Sequence, residues 1–190
     1  MSEPVVSIRD LQYRYRGQKG FAVDGVNLTL NRGEFLMLMG PSEAGKSTLA
    51  ATINGLIPHF HIGKLSGEVI VMGRDTKAYT VAQMAEIVGI VFQDFEAQLF
   101  STNVELEIAF GPENFAVPRE DIKVRIDENL RYVGLEANRN RPPSTLSGGQ
   151  KQKLAIASVL ALKPEVLVMD EPTTDLDPIS KMGVFEITHR

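Results

Sequence analysis

The sequence predicts an α/β fold with a parallel core, an antiparallel β subdomain at the N-terminus and a mainly helical insert. Three observations predict it. Residues 5–15 and 21–30 alternate apolar and polar positions, as half-buried strands do. Residues 35–39 and 166–169 are apolar throughout, as strands buried on both faces are. Stretches of helical character alternate with these runs.

Val6, Ile8, Leu11, Tyr13 and Tyr15 carry the first alternation, and Asn31-Arg32-Gly33 is a turn after the second. The apolar run 35–39 ends at Gly40, and residues 48–56 follow as a helix. Residues 67–73 read as a strand between glycines. Thr80 is an N-cap for a helix over 81–87, and 88–92 is again strand-like. From 94 to 145 the pattern turns helical, with Ile122, Ile126, Leu130 and Val133 at helical spacing. Breaks are expected at Gly111-Pro112, Pro118 and Pro142-Pro143. Residues 149–162 form a helix that Pro164 stops, and the strand 166–169 ends at Asp170-Glu171-Pro172. The organisation is one domain over 1–190. Residues 1–93 form the β subdomain and the first core half, 94–145 the insert, and 146–190 the rest of the core.

Composition excludes several classes. The 190 residues suffice for one sizeable domain, and 43% hydrophobic with 23% charged residues is ordinary for a globular protein. Net charge is −4 and no stretch concentrates Lys and Arg, so nucleic acid is not an expected partner. No cysteine is present, which excludes a disulfide scaffold and fits a reducing compartment. The N-terminus lacks a basic stretch followed by an apolar one, so no signal peptide is read. No apolar run approaches the ~18 residues of a membrane span. A membrane process served by this protein needs another chain to do the spanning.

Gly40-Pro-Ser-Glu-Ala-Gly45-Lys46-Ser47 fits G-x-x-x-x-G-K-[ST], between an expected strand and an expected helix. Glycines let backbone N–H groups turn toward phosphate oxygens, and the helix N-terminus adds partial positive charge. Gly40, Ser42, Ala44, Gly45, Lys46, Ser47 and Thr48 are the expected binding set for a nucleoside triphosphate with magnesium. Lys46 reaches the β- and γ-phosphates, and the Ser47 hydroxyl ligates Mg²⁺. The fold class is therefore that of a P-loop NTPase with a RecA-like parallel core. Glu43 places a carboxylate in this loop, which is tolerable if the side chain faces solvent.

Asp170 and Glu171 close an apolar strand, where ligands of parallel sheets sit. They read either as a capping pair or, beside a phosphate loop, as a division of labour. In the second reading Asp170 holds Mg²⁺ and Glu171 polarises the attacking water. Leu146-Ser147-Gly148-Gly149-Gln150 opens another helix and is a second anion cradle. Since the chain already has a phosphate loop, this cradle serves a nucleotide held by another copy in a two-fold dimer.

Together these motifs resemble the ATP-binding subunits of ABC transporters. Residues 40–48 resemble Walker A, Gln93 in Val-Phe-Gln-Asp the Q-loop, and 146–150 the ABC signature. Residues 167–171 resemble Walker B, and Thr174-Asp-Leu-Asp177 the D-loop. Residues 91–100, the stretch from Glu105 to Asn114, and Asn54-Gly-Leu-Ile-Pro-His59 look like the energy-coupling factor (ECF) group, which imports vitamins or cobalt and nickel. The resemblance implies that the chain binds and hydrolyses ATP with Mg²⁺ and dimerises with a second ATPase half. It implies a membrane-embedded transport subunit as partner, at the cytoplasmic face of the membrane. It also implies that Tyr15 stacks on adenine; the plain alternative is an aromatic on the sheet surface. Gln93 touches Mg²⁺ or the attacking water. Residues 96–115 either grip a membrane partner or pack within the insert.

The sequence departs from the family at Lys153, where Arg is usual, and at Glu43, where Gly is common. His189 is too near Asp177 to be the family's switch histidine. The chain therefore reads as truncated, and the isolated chain is expected to have negligible turnover. His59 and His61 read as solvated loop residues or, less simply, as a metal pair. The competing functions are a non-transport ABC ATPase and a binding-only fragment.

Overall fold

The computed structural model describes residues 4–172, and these divide into two compact units between Val88 and Gly89. The division falls at the start of a strand, a few residues before the 93/94 boundary expected from the sequence. The D-loop and His189 lie outside the described residues.

The first unit is built on a four-stranded antiparallel sheet of order β2-β1-β3-β4. Its strands are β1 (Val6–Tyr15), β2 (Val23–Leu30), β3 (Gly63–Val71) and β4 (Arg74–Asp75). β1 pairs with β2 from Val6↔Leu30 to Tyr13↔Val23, and with β3 from Val6↔Val71 to Tyr15↔Gly63. The buried residues of β1 are Val6, Ile8, Leu11 and Tyr13. Their spacing slips by one between Ile8 and Leu11, and the register against β3 slips between Arg9 and Gln12. Asp10 sits there at φ 45, a bulge that keeps both halves of the strand facing the core. The turn read at Asn31-Arg32-Gly33 forms, with Gly33 at φ 79 and the Glu34 N–H bonded to the Asn31 carbonyl at 3.1 Å. Asn31 also donates its side-chain and backbone N–H groups to the Glu34 carboxylate, which hold its pKa below the ordinary value.

One expectation fails here. Residues 34–40 belong to no strand, and Phe35, Leu36, Met37, Leu38 and Met39 are all exposed, Met39 by 85%. An apolar run forms a buried strand only where strands flank its edges and layers cover its faces, and the sheet of this unit does not include it. The expected helix over 48–56 is α1 (Lys46–Ile53), which ends at Asn54. Gly55 at φ 79 then turns the chain into α2 (Leu56–His59). α1 contacts β3 and buries Leu49, Ala50 and Ile53. α3 (Val81–Ala85) starts at the predicted N-cap. The Thr80 side chain accepts from the Gln83 N–H, and the Gln83 side chain accepts from the Thr80 N–H.

The second unit contains β5 (Val88–Val91) and β6 (Val166–Met169) as a two-stranded sheet. Around it stand α4 (Val104–Asn114), α5 (Arg119–Val133) and α6 (Gly148–Leu160). α5 buries the predicted stripe of Ile122, Ile126, Leu130 and Val133. Each such side chain contributes about 1.5–3 kcal/mol on burial. The stripe joins Val104 and Ile108 of α4 and Leu154, Ile156 and Val159 of α6 in one core.

The break expected at Gly111-Pro112 does not occur, because α4 runs through both residues. Pro112 stands in the last turn, where its missing N–H removes only one helical bond. Gly111 is there for closeness: a Cβ would come within 3.1 Å of the Leu162 side chain. Pro118 and Pro142 do act as breaks, each standing just before a helical segment. Among the described residues no helix is long and apolar enough to cross a membrane.

Candidate functional site

The phosphate loop forms as a left-handed entry into α1. Gly45 precedes the helix at φ 88, and a Cβ there would overlap the Ala22 carbonyl. Both facts demand glycine. No side chain caps α1. A helix start whose N-cap residue is a glycine, with no side chain to close it, suits an anion. Lys46 donates from Nζ to the carbonyls of Gly40 (3.1 Å) and Pro41 (3.0 Å), so its charge is held against the start of the loop. The Ala44 N–H closes the turn onto the Pro41 carbonyl. Gly40, Ser42, Ala44 and Ser47 are exposed, while Thr48 is buried. Glu43 is exposed, as its tolerance requires, but sits at φ 65, a conformation that costs an ordinary residue about 1–2 kcal/mol.

Tyr15 stands beside the first turn of the same helix, with its hydroxyl 3.1 Å from Thr48 Oγ1. Its ring is edge-on to Tyr13, with centroids 4.8 Å apart, and to His61 at 6.3 Å. Tyr13 is fully buried, which pushes its phenol pKa up, and its hydroxyl donates to the His61 carbonyl at 2.9 Å. The other histidine of this stretch, His59, has Nε2 3.0 Å from the Thr76 carbonyl.

In the second unit, Gln93 and Asp170 are brought together. Both line an open cavity of about 580 Å³ with Phe92, Asp94, Phe95 and Glu96. The Asp170 N–H bonds the Val91 carbonyl at 2.9 Å, which ties the acidic strand end to the end of β5. Glu171 is half-buried at φ 47, a strained position for a residue with a side chain. The Gln98 side chain accepts from the Phe92 N–H (2.9 Å) and donates to the Ile90 carbonyl (3.3 Å). It thereby fixes the backbone from which Gln93 projects. Glu107, buried, accepts from the N–H groups of Phe100 and Ser101 and anchors the next loop. No sequence signal marks Gln98 or Glu107 for these roles, since their partners are backbone groups brought near by folding.

Ser147 is the N-cap of α6 in a full capping box with Gln150, their mutual bonds being 3.3 and 3.0 Å. Ser147 and Gly148 are exposed, and open space lies where a Gly148 Cβ would be. Gly149 is buried and Gln150 half-buried. The Ser147 Oγ spends an acceptor site on the cap and keeps its O–H free to donate. The next residue, Lys151, pairs with Glu96 at 2.8 Å. The signature helix is thus tied to the segment that lines the cavity, a link between residues far apart in sequence that no local pattern announces.

The donor set fits magnesium carried by a phosphate ligand. Within the second unit Gln93 and Asp170 offer an amide and a carboxylate oxygen to one cavity, and in the first unit Ser47 offers a hydroxyl, all of them hard donors of the kind Mg²⁺ prefers. No group of three or more His, Cys, Asp or Glu residues among the described residues forms a metal cage.

The ABC transporter family model matches residues 23–174. A "putative ABC transporter ATP-binding protein" of Caldanaerobacter subterraneus subsp. tengcongensis is 61% identical over 188 residues, covering 98% of this chain and 33% of that protein. One from Methanosarcina acetivorans is 46% identical over 92% of this chain and 27% of its own length. Another from Pyrococcus abyssi is 44% identical, over 96% of this chain and 65% of its own length. The chain therefore spans about a third of the length of the first two relatives. A solved structure of cbiO1 from Clostridium perfringens, described as part of the ABC transporter complex cbiONQ, superposes with a TM-score of 0.86 at 33% identity. It covers 98% of this chain and 73% of that one. With the family model matched over residues 23–174 and a relative 61% identical over nearly the whole chain, the chain belongs to the ABC transporter family as an ATP-binding domain.

Proposed function

We propose that the protein is the ATP-binding and ATP-hydrolysing subunit of an ECF-type importer, coupling ATP-driven dimer closure to uptake of a vitamin or a transition-metal ion. The observation that carries this reading is the phosphate loop, with its left-handed Gly45, its uncapped helix and Lys46 held at its start. Likeness to cbiO1, itself part of an ABC transporter complex, supports the transport assignment. So do residues 91–100, which look like the ECF group.

In this reading Lys46 and the loop N–H groups hold the β- and γ-phosphates. Ser47, Gln93 and Asp170 hold Mg²⁺, which neutralises charge on the phosphates. Glu171 orients the attacking water and accepts its proton. Ser147, Gly148, Gly149 and Gln150 donate to the nucleotide of a second ATPase half. ATP favours the closed dimer because its γ-phosphate makes contacts there that ADP cannot make. A membrane-embedded subunit at the cytoplasmic face converts closure into transport.

The test is Glu171→Gln in the full-length protein. Retained ATP binding, turnover reduced at least a hundredfold and an accumulated ATP-bound dimer are expected on size-exclusion chromatography. Monomers with unchanged turnover would remove Glu171 from the chemistry.

A further inference from the structure

His61 is not accounted for by the phosphate chemistry, yet the fold takes trouble to hold it. Its carbonyl accepts from the buried Tyr13 hydroxyl, and the carbonyl of its neighbour Ile62 accepts from the Arg16 N–H at 3.1 Å. Two residues on, a Cβ at Gly63 would collide with the Tyr13 ring and hydroxyl, so the backbone here lies tight against β1. The imidazole itself is exposed, between Phe60 and Ile62, which are 70% and 66% exposed. Among the described residues its ring nitrogens have no hydrogen-bond partner, whereas the His59 ring is spent on the Thr76 carbonyl.

The same imidazole stands 79° to the Tyr15 ring. Tyr15 in turn is pinned to Thr48, in the first turn of the phosphate-loop helix. A planar base lying flat on Tyr15 would stand steeply to the imidazole, whose ring centre is 6.3 Å from that of Tyr15. The edge of a purine is where its donors and acceptors lie. A neutral imidazole offers one donor and one acceptor nitrogen.

We infer that His61 is a second base-recognition side chain: Tyr15 supplies a stacking face and His61 a hydrogen-bonding edge for the purine of the nucleotide bound at loop 40–48. The inference rests on the nucleotide reading of that loop and adds to it a residue that reads the base rather than the phosphates.

The experiment measures ATP and inorganic tripolyphosphate binding by calorimetry with the full-length protein. The variants are Tyr15→Ala, His61→Ala, His61→Phe and Lys46→Ala. His61→Ala is expected to weaken ATP binding about three- to tenfold, the worth of one hydrogen bond, and to leave tripolyphosphate affinity unchanged. His61→Phe, which keeps a ring against Tyr15, is expected to lose most of the same affinity. Full ATP affinity in either variant would overturn the inference, because His61 would then be at most a prop for Tyr15. Equal weakening of ATP and tripolyphosphate by His61→Ala would also overturn it, by moving the effect to the phosphate loop. If Lys46→Ala leaves both ligands bound as before, the phosphate-loop reading falls first, and this inference with it.

Discussion

Glu43 is where the phosphate loop departs from its own chemistry. It combines two costs: a left-handed backbone at φ 65 and a negative charge in an anion-binding loop. Replacing it with glycine removes the ~1–2 kcal/mol of backbone strain but restores unfolded-chain entropy worth about 0.5–1 kcal/mol. These nearly cancel, so the melting temperature of Glu43→Gly is expected within about 3 °C of the parent. The charge effect does not cancel. A carboxylate roughly 8 Å from a polyphosphate in water repels each unit charge by about 0.5 kcal/mol before screening. ATP affinity in Glu43→Gly is therefore expected to rise about two- to tenfold at low ionic strength, and the gain is expected to shrink as salt is added. A gain that persisted at 1 M salt would mean that the loop conformation, not the charge, had changed.

At the scale of elements, α6 shows how one residue serves two purposes. Ser147 caps its helix in a box with Gln150 and keeps a free O–H at an exposed helix start. Ser147→Ala loses the cap, about 1 kcal/mol, or roughly 2–4 °C in a domain of this size. Ser147→Asp keeps the cap and gains from the helix dipole, but sets a negative charge where a partner's phosphate is proposed to dock. Ser147→Asp is thus expected to melt no lower than wild type yet to lose ATP-dependent dimerisation by analytical ultracentrifugation. Ser147→Ala is expected to melt lower and to dimerise more weakly. Normal dimerisation by Ser147→Asp would show that this helix start meets no phosphate.

The Thr80 N-cap is legible in the sequence from a threonine standing before a helical stretch, and the α5 stripe from its spacing, whereas the pairing of Thr80 with Gln83 and of Ser147 with Gln150 comes from the structure. Bonds that join distant segments were not legible: Gln98 to the end of β5, Glu107 to the 100–101 backbone, Lys151 to Glu96. The apolar run 35–39 departs from the buried strand its composition suggests for a related reason. Composition states that a segment prefers burial, but not which neighbours are there to bury it.

At the scale of the whole molecule that run becomes decisive. Five consecutive apolar side chains stand exposed immediately before the phosphate loop. Each would contribute about 1.5–3 kcal/mol if buried. The chain spans about a third of the length of its first relatives, so the run's surroundings in a polypeptide of that length are open to test. In the 190-residue chain, Met37→Ser with Met39→Ser removes exposed apolar surface. Dye binding at hydrophobic surface is expected to fall, with stability changed by no more than about 0.5 kcal/mol per site. In a polypeptide of the relatives' length the same pair is expected to lower stability by about 2–5 kcal/mol per site, the cost of emptying a core position. Denaturant unfolding of both proteins, with and without the pair, measures the difference. Equal small effects in both would mean that the run is a surface in the longer protein too. The phosphate loop would then hang from an open strap rather than from the buried strand its sequence suggests.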